Sequence, residues 1–187
     1  MKLPSIYTLS AILLASELIL GLTKRSPTGA TGKDHFTLPL LWTVIGLSLW
    51  AAFYLQAAFP QGAISHRRMA YLAGLILFAI GLFVRWAAII YLGRFFTVNV
   101  AIAEDHQLIT TGPYRYVRHP SYTGTFLIFL GFGLCLLNIF SLAAVFLPIA
   151  LAFLWRMHVE ETALRDAFGE RYRDYAARTR RVIPCVY

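Results

Sequence analysis

Charged side chains are scarce in this sequence: 14% of its 187 residues are Asp, Glu, Lys or Arg, whereas 58% are hydrophobic. A soluble domain of this length cannot bury so much apolar side chain in one core. The scarcity of charge therefore excludes a soluble globular protein and indicates an integral membrane protein.

Several motifs are also absent. There is no G-x-G-x-x-G and no P-loop, so a nucleotide-like ligand would have to bind outside those folds. Neither Cys135 nor Cys185 has a second Cys or a His at the spacing of a zinc site. No aromatic-plus-basic segment lies away from the membrane-proximal regions, so the formal charge of +8 does not indicate nucleic acid. Basic residues instead collect on the cytoplasmic side of membrane proteins, where anionic lipid attracts them.

Long apolar runs are abundant. A helix needs about 20 apolar residues to cross a bilayer, with about 17 as the lower limit. Five runs satisfy this limit: Leu3–Leu22, Leu38–Phe59, Met69–Leu92, Ser121–Leu137 and Ile139–Trp155. We interpret the first as a retained span rather than a signal peptide, because Glu17 interrupts its apolar core. Only Asn138 separates the last two runs, which predicts a tight helical hairpin formed by spans 4 and 5. The sequence therefore predicts an all-α integral membrane protein with five transmembrane helices.

The basic residues predict which side of the membrane the polar segments face. Five spans place the first loop, segment 93–120 and the C-terminal tail on one side, with thirteen of the seventeen Lys and Arg residues. The opposite side has three, so the polar segments are predicted to be cytoplasmic. Beyond Trp155 the sequence becomes amphipathic, with one apolar stripe formed by Leu164, Ala167, Phe168, Tyr172, Tyr175 and Ala176. We predict a cytoplasmic amphipathic helix that continues the fifth span and lies on the protein or on the lipid surface.

Four charged residues lie at or near membrane depth. Arg85 is close to the cytoplasmic end of the third span, and we expect its side chain to snorkel to water. Glu17 could face the helix bundle, but the sequence assigns it no role. Arg156 and Glu160 are four residues apart, so they share one helix face where the last span leaves the membrane. Such a pair is either a weak surface ion pair or a site for a lipid-borne substrate with an anionic head, and the spacing leaves both open.

The stretch "GPYRYVRHPSYTG", residues 112–124, is polar although an apolar run follows it directly. Gly112-Pro113 and His119-Pro120 prevent a helix, so backbone amides and carbonyls must be satisfied by protein, water or a ligand. In the longer segment 104–124, rings and cations are concentrated within 17 residues: His106, Tyr114, Arg118, His119 and Tyr122. This combination suits a nucleoside that carries a carboxylate or a phosphate.

Two blocks carry a family resemblance. "HQLITTGPYRYVRHPSYTG", followed one helical hairpin later by "RMHVEETALRDAFGERYRDYAARTRRVIP", resembles the isoprenylcysteine carboxyl methyltransferase family and its phospholipid methyltransferase relatives. The resemblance covers residues 93–184, and the first two spans contain no matching motif. It implies an S-adenosylmethionine-dependent methyltransferase that releases S-adenosylhomocysteine and has a pocket open to the cytosol. The implied acceptor is lipid-like or prenylated, a small molecule or a peptide, and it enters from the membrane lipids. The implied organisation is one membrane-embedded domain, with three spans in residues 1–92 and the cofactor-binding and catalytic part in residues 93–187.

The resemblance also implies site residues. Arg156 and Glu160 match the methyl-transfer site. The implied cofactor-binding residues are a strand-like segment formed by His106, Gln107, Leu108 and Ile109, and then Gly112, Tyr114, Arg118, His119, Pro120 and Tyr122. Supporting residues are Glu161, Tyr172, Tyr175 and Arg181. No metal is implied.

The chemistry of the Arg156–Glu160 pair leaves the acceptor open. For a carboxylate, Arg156 could hold one oxygen while Glu160 fixes the guanidinium or stabilises the sulfonium. For an amine, Glu160 would be the proton acceptor. O-methylation of an isoprenylcysteine-type or other lipid-like carboxylate is the leading expectation, and N-methylation of a phospholipid amine is the alternative. A sterol-reductase-like enzyme and a non-enzymatic lipid-binding protein are weaker alternatives.

Overall fold

The computed structural model describes residues 3–23, 31–32, 36–96, 101–102 and 107–183. Within them the chain forms six α-helices, besides three short 3₁₀ helices: α1 (Ile6–Thr23), α2 (Thr37–Ala58), α3 (Arg67–Leu92), α4 (Pro120–Cys135), α5 (Ile139–Phe168) and α6 (Glu170–Arg178). Two two-residue strands, β1 (Thr31–Gly32) and β2 (Ala101–Ile102), pair in antiparallel fashion. The all-α prediction is confirmed apart from this short pairing, which joins the first loop to the segment before α4.

Four helices, α1, α2, α3 and α5, are long and apolar enough to cross a membrane. Helix α4 has 16 residues, so it is about 24 Å long and shorter than the predicted span Ser121–Leu137. Pro120 opens α4, because a proline in the first turn lacks only an N–H that has no intrahelical partner. The segment 107–110 forms neither helix nor strand, although a strand-like segment was predicted there.

The predicted hairpin lies at Asn138, between α4 and α5. Leu137 has a φ of 57°, which turns the chain after α4. The Asn138 side-chain oxygen then accepts hydrogen bonds from the backbone N–H groups of Phe140 (2.9 Å) and Ser141 (3.2 Å). Asparagine at this position satisfies two donors at the start of α5 and so explains where the helix begins.

Helices α3 and α4 pack at backbone contact through glycines. A Cβ atom on Gly131 would lie 2.5 Å from the carbonyl oxygen of Gly74. A Cβ atom on Gly124 would lie 2.5 Å from the backbone nitrogen of Arg85. Small residues allow membrane helices to approach this closely, so any larger side chain at these positions would separate the two helices.

Polar contacts attach α1 to α3, and one of them corrects a prediction. The Arg85 Nη2 atom lies 2.9 Å from Glu17 Oε1, and Trp86 Nε1 donates to Ser16 Oγ at 2.9 Å. Arg85 is only 7% exposed, so the expectation that it snorkels to water was wrong. The Glu17 carboxylate and the Thr125 hydroxyl, which lies 2.6 Å from Arg85 Nη1, are the partners of the guanidinium inside the bundle. With these partners the guanidinium does not have to reach water.

Helix α5 continues beyond Trp155 to Phe168, as predicted for the fifth span, but the single helix predicted to carry the stripe from Leu164 to Ala176 is interrupted at Gly169. Gly169 then adopts a φ of 55°, a conformation that glycine reaches without steric cost, and α6 begins at the next residue. Tyr172 of α6 is 1% exposed, so this helix turns its apolar side onto the rest of the protein.

Candidate functional site

One continuous cavity of about 660 Å³ runs through the bundle, a volume typical of small-molecule sites. One group of lining residues, which we call the polar lobe, comes from the stretch before α4 and from α6: Gln107, Leu108, Ile109, Tyr114, Arg118, His119, Tyr172 and Tyr175. A second group, the apolar lobe, includes Leu13, Leu20, Leu41, Ile45, Leu49, Phe129 and Phe132. Tyr122, Arg156 and Glu160 also line the cavity, and we call them the central residues.

The Tyr122 hydroxyl links the other two central residues. It donates to Glu160 Oε2 at 2.8 Å and accepts from Arg156 Nε at 3.1 Å. The ring of Tyr122 stacks on His119, with ring centroids 5.4 Å apart, and this fixes the hydroxyl. Arg156 is 4% exposed, and its Nη1 donates to the Thr37 hydroxyl at 2.8 Å. The arginine predicted to act at the reaction centre is therefore buried and held by two hydroxyl groups.

Glu161, next to Glu160, joins the stretch before α4 to the C-terminal segment. Its side chain is 2% exposed, and Oε1 lies 2.9 Å from Arg118 Nε and 3.2 Å from His119 Nε2. Oε2 lies 3.1 Å from Arg181 Nη2 and 3.6 Å from Arg165 Nη2. A buried carboxylate is stable only when cations and hydrogen bonds compensate its lost hydration, so these contacts depend on one another. The sequence predicted Glu161 as a supporting residue, and its contacts agree with that role.

The C-terminal segment also satisfies backbone groups of the proline-broken stretch. The N–H groups of Arg118 and His119 donate to the carbonyls of Arg180 (2.7 Å) and Arg181 (2.9 Å). The Arg118 Nη1 atom donates to the carbonyl oxygen of Thr179 at 2.5 Å. These amides, which the sequence left without a partner, are therefore satisfied by protein.

Two tyrosines of α6 shape the polar lobe. The Tyr175 hydroxyl donates to the backbone carbonyl of Tyr114 at 2.7 Å, and burial raises the pKa of Tyr175 to about 12. Burial also raises the pKa of Tyr172 above its usual value, so this hydroxyl keeps its proton at neutral pH. The buried Tyr172 hydroxyl has no hydrogen-bond partner among the described residues. Tyr172 thus lines the polar lobe and carries a buried hydroxyl that no described residue satisfies.

The structure brings together most of the predicted site residues. Both predicted catalytic residues line the cavity, together with the predicted cofactor-binding residues Gln107, Leu108, Ile109, Tyr114, Arg118, His119 and Tyr122. Gly112 and Pro120 do not line it. Gly112 has a φ of 58°, and a Cβ atom there would overlap the ring of Tyr91. Glycine is therefore needed at this position for the backbone conformation and for the close approach of the Tyr91 ring. His106 lies outside the described residues.

Sequence reasoning missed the contributions of α1 and α2. The Thr37 hydroxyl accepts a hydrogen bond from Arg156, which is 119 positions later in the sequence. Nothing in the sequence around Thr37 indicates that it belongs to the site. Helices α1 and α2 together supply one wall of the apolar lobe. Their apolar residues look like ordinary span residues, so no local signal could have identified them.

Comparisons with known proteins point to one family. A profile described as "Isoprenylcysteine carboxyl methyltransferase (ICMT) family" matches residues 73–166. Among curated relatives, the protein-S-isoprenylcysteine O-methyltransferase of Tribolium castaneum is 31% identical over 147 residues, covering 78% of this chain and 52% of that protein. Protein-S-isoprenylcysteine O-methyltransferase A of Arabidopsis thaliana is 37% identical over 115 residues, covering 60% of this chain and 58% of that protein.

A solved structure is similar over nearly the whole chain. It is described as the eukaryotic intramembrane Ras methyltransferase ICMT, and it matches with a TM-score of 0.72 at 26% identity. The match covers 97% of this chain and 65% of that one. The chain thus spans a little over half the length of the curated relatives named above.

Proposed function

We propose, since the chain belongs to the isoprenylcysteine carboxyl methyltransferase family, that it transfers a methyl group from S-adenosylmethionine to the carboxylate of a membrane-borne, isoprenylcysteine-type acceptor. The observation that carries this proposal is a single cavity in which a polar lobe and an apolar lobe meet at Arg156, Tyr122 and Glu160. A polar cofactor and a lipid-like acceptor can approach the same point from opposite ends of such a cavity.

The polar lobe fits the cofactor by its chemistry. The unpaired Tyr172 hydroxyl offers a hydrogen bond, Tyr114 and Tyr175 offer aromatic groups, and the lobe also contains the Gln107 amide. S-adenosylmethionine, when bound, supplies a methyl group that is already activated by its sulfonium. Leu108 and Ile109 would complete the walls around it. Arg118 and His119 would act mainly by holding this lobe together, because both side chains bond to Glu161.

The central residues suit a carboxylate acceptor. Thr37 and Tyr122 hold Arg156 before any substrate binds, so its planar guanidinium is preorganised to take one carboxylate oxygen and leave the other to attack. The Glu160 carboxylate accepts a hydrogen bond from the Tyr122 hydroxyl and would balance positive charge at the reaction centre. A carboxylate carries no proton that must be removed, so this transfer needs no general base.

We also propose how the protein lies in the membrane. Helices α1 to α5 would all be membrane-embedded, in one domain, and the polar lobe and α6 would face the cytoplasm. The count of thirteen Lys and Arg residues on that side supports this orientation.

Methylation assays test the proposal directly. The purified protein, in lipid nanodiscs, is incubated with tritiated S-adenosylmethionine and N-acetyl-S-farnesylcysteine. We expect a product whose label is released by base, as from a methyl ester; a base-stable product would instead support N-methylation of a lipid amine. We expect Arg156→Lys to lose most activity, whereas Arg173→Ala, an exposed control on α6, keeps it. Calorimetry is expected to show micromolar binding of S-adenosylhomocysteine, and no binding would overturn the proposal.

A further inference from the structure

The cavity ends at one level on three helices. Towards the hairpin between α4 and α5, the last residues that line it are Ser10 on α1, Leu49 on α2 and Phe132 on α4. Ala52 and Leu136, which follow in the same direction about one turn further on α2 and α4, are buried and do not line it. We call Ser10, Leu49 and Phe132 the floor residues.

Contacts with α5 show that α2 and α4 run in the same direction. The Thr37 hydroxyl, at the start of α2, accepts from Arg156 at 2.8 Å, and the Ala52 carbonyl accepts from Ser141 Oγ at 2.7 Å, close to the hairpin. Helix α2 therefore leads from the central residues to the hairpin, as α4 does from Tyr122. The floor residues of these two helices lie at the hairpin end.

Helix α1 runs in the opposite direction but has its floor residue at the same end. The Pro4 carbonyl, just before α1, accepts a hydrogen bond from the Tyr71 hydroxyl. The Tyr71 carbonyl in turn lies 3.6 Å from Sγ of Cys135, the last residue of α4. Ser10 lies about one turn after the start of α1, and Phe132 lies about one turn before the end of α4. These two floor residues are therefore level with each other.

Beyond the floor residues the helices close on one another. The Gln56 Nε2 atom donates to the carbonyl of Leu136 at 2.7 Å and so joins α2 to α4. On the facing part of α5, Val145 and Ile149 are fully buried and do not line the cavity. An apolar tail that reaches this level meets packed side chains between α2, α4 and α5.

Helix geometry gives the depth of the floor below the central residues. Phe132 follows Tyr122 by ten residues on α4, which corresponds to about 15 Å along the helix axis. Leu49 follows Thr37, the partner of Arg156, by twelve residues on α2, or about 18 Å. An acceptor whose carboxylate lies at Arg156 therefore has about 15–18 Å for the rest of its length.

We infer that the floor residues limit the acceptor's prenyl tail to three isoprene units. A C–C bond is about 1.5 Å long, so an extended farnesyl group reaches about 15 Å from its sulfur and a geranylgeranyl group about 20 Å. The cysteine adds about 4 Å between the sulfur and the carboxyl carbon. With a slight bend the farnesyl compound reaches the floor, whereas the geranylgeranyl compound is too long by about 6–9 Å. This inference rests on the proposed function and adds a tail length to it.

Three acceptors that differ only in tail length test the inference: N-acetylcysteine carrying an S-geranyl, S-farnesyl or S-geranylgeranyl group. They are assayed in nanodiscs as mole fractions of lipid, because a longer tail partitions more strongly into the bilayer. We expect the wild-type kcat/KM for the farnesyl compound to exceed that for the geranyl compound about tenfold, since the shorter tail leaves part of the apolar lobe unfilled. It should exceed that for the geranylgeranyl compound about fivefold or more.

Substitutions of the floor residues should change the preferred length. Phe132→Ala removes a ring from the floor and should bring the farnesyl-to-geranylgeranyl ratio of kcat/KM close to one. Leu49→Ala should shift this ratio in the same direction and serves as a second variant if Phe132→Ala folds poorly. Ser10→Phe fills the end of the lobe and should move the preference to the geranyl compound. The Ser10 hydroxyl bonds to the Ile6 carbonyl of its own helix, so this change breaks no bond between helices.

Phe78→Ala is the matched control. Phe78 on α3 is also buried and lies against the backbone of Gly131, next to Phe132, but it does not line the cavity. Its loss should reduce stability and keep the wild-type ratio. Each ratio is measured on one preparation, so it does not depend on the fraction of protein that is folded.

The outcomes distinguish the inference from the proposed function. Equal kcat/KM of the wild type for the farnesyl and geranylgeranyl compounds, as for a tail that leaves sideways into lipid, overturns the inference and leaves the proposed function intact. A wild-type ratio in all floor variants, or an equal shift in Phe78→Ala, has the same consequence. Methylation of none of the three compounds, by protein that binds S-adenosylhomocysteine, overturns the proposed acceptor and this inference together.

Discussion

Replacement of Tyr122 by phenylalanine isolates the contribution of a single hydroxyl at the centre of the cavity. The ring itself should stay in place, because it stacks on His119 and packs against Phe153 with ring centroids 5.1 Å apart. The variant therefore removes one oxygen atom from between Arg156 and Glu160 with little change in packing.

The expected loss of activity follows from the surroundings of the two hydrogen bonds that the Tyr122 hydroxyl makes, one to Glu160 and one from Arg156. Glu160 is 32% exposed, so water can replace the lost donor at low cost. The Arg156 Nε–H is buried and would lose its bond to the hydroxyl, although Nη1 keeps Thr37. A hydrogen bond to a charged group contributes about 1.5–3 kcal/mol, so we expect a loss of about 2 kcal/mol in transition-state stabilisation. This corresponds to a decrease of about 30-fold in kcat/KM.

The assay measures kcat/KM for N-acetyl-S-farnesylcysteine, with thermal unfolding and S-adenosylhomocysteine binding as checks on folding. Tyr116→Phe is the matched control: it lies in the same stretch, but Tyr116 is 63% exposed. We expect the control to keep wild-type activity. A decrease below threefold in Tyr122→Phe, or an equal decrease in the control, would refute the assignment of this hydroxyl to the reaction centre.

Three further predictions concern stability and the cofactor. Glu161→Gln leaves the partly buried guanidinium groups of Arg118 and Arg181 without their buried anion and should lower the free energy of unfolding by about 3 kcal/mol, measured by thermal unfolding in detergent. Gly131→Ala should lower the free energy of unfolding by about 1–3 kcal/mol in the same assay, because the added Cβ would meet the backbone of Gly74. Gly46→Ala is the control: a Cβ there has nothing within 4 Å, so the substitution should be neutral or slightly stabilising. Tyr172→Phe removes a buried hydroxyl that has no partner among the described residues, so the ligand-free protein should be as stable as the wild type or more stable. S-adenosylhomocysteine should bind the variant about tenfold more weakly, measured by calorimetry. Unchanged affinity would exclude Tyr172 from the cofactor site.

Hydropathy predicted the helices well because each helix is defined by its own residues. The predicted span Met69–Leu92 corresponds to α3, Arg67–Leu92, and the hairpin at Asn138 lies where a single polar residue between two apolar runs predicted it. The short pairing of Thr31–Gly32 with Ala101–Ile102 was not predicted, because two residues in each of two loops carry no periodic signal.

Side-chain partners were predicted less well, because they depend on how helices distant in sequence meet. Arg85 was expected to reach water because it lies close to the predicted cytoplasmic end of its own span. Its partner, Glu17, is 68 residues earlier on a different helix. By contrast, the polar stretch 112–124 and the pair Arg156–Glu160 stood out in the local sequence, and the family resemblance supplied their proposed roles. What local sequence could not provide was their meeting through the Tyr122 hydroxyl, 34 residues before Arg156.

The glycine contact between α3 and α4 has a mechanical consequence. Helix α4 is about 24 Å long, less than the roughly 30 Å of a bilayer core, so lipid cannot fix its depth by hydrophobic matching. In the proposed membrane arrangement, backbone contact with the 26-residue α3 would set the depth of α4 instead, and with it the depth of Tyr122 at the start of α4. Helix α3 itself carries none of the central residues. A thicker or thinner bilayer that tilts α3 would therefore move the Tyr122 hydroxyl relative to Arg156 on α5. Membrane thickness would thus act on the proposed reaction centre through the backbone contacts of Gly131 with Gly74 and of Gly124 with Arg85.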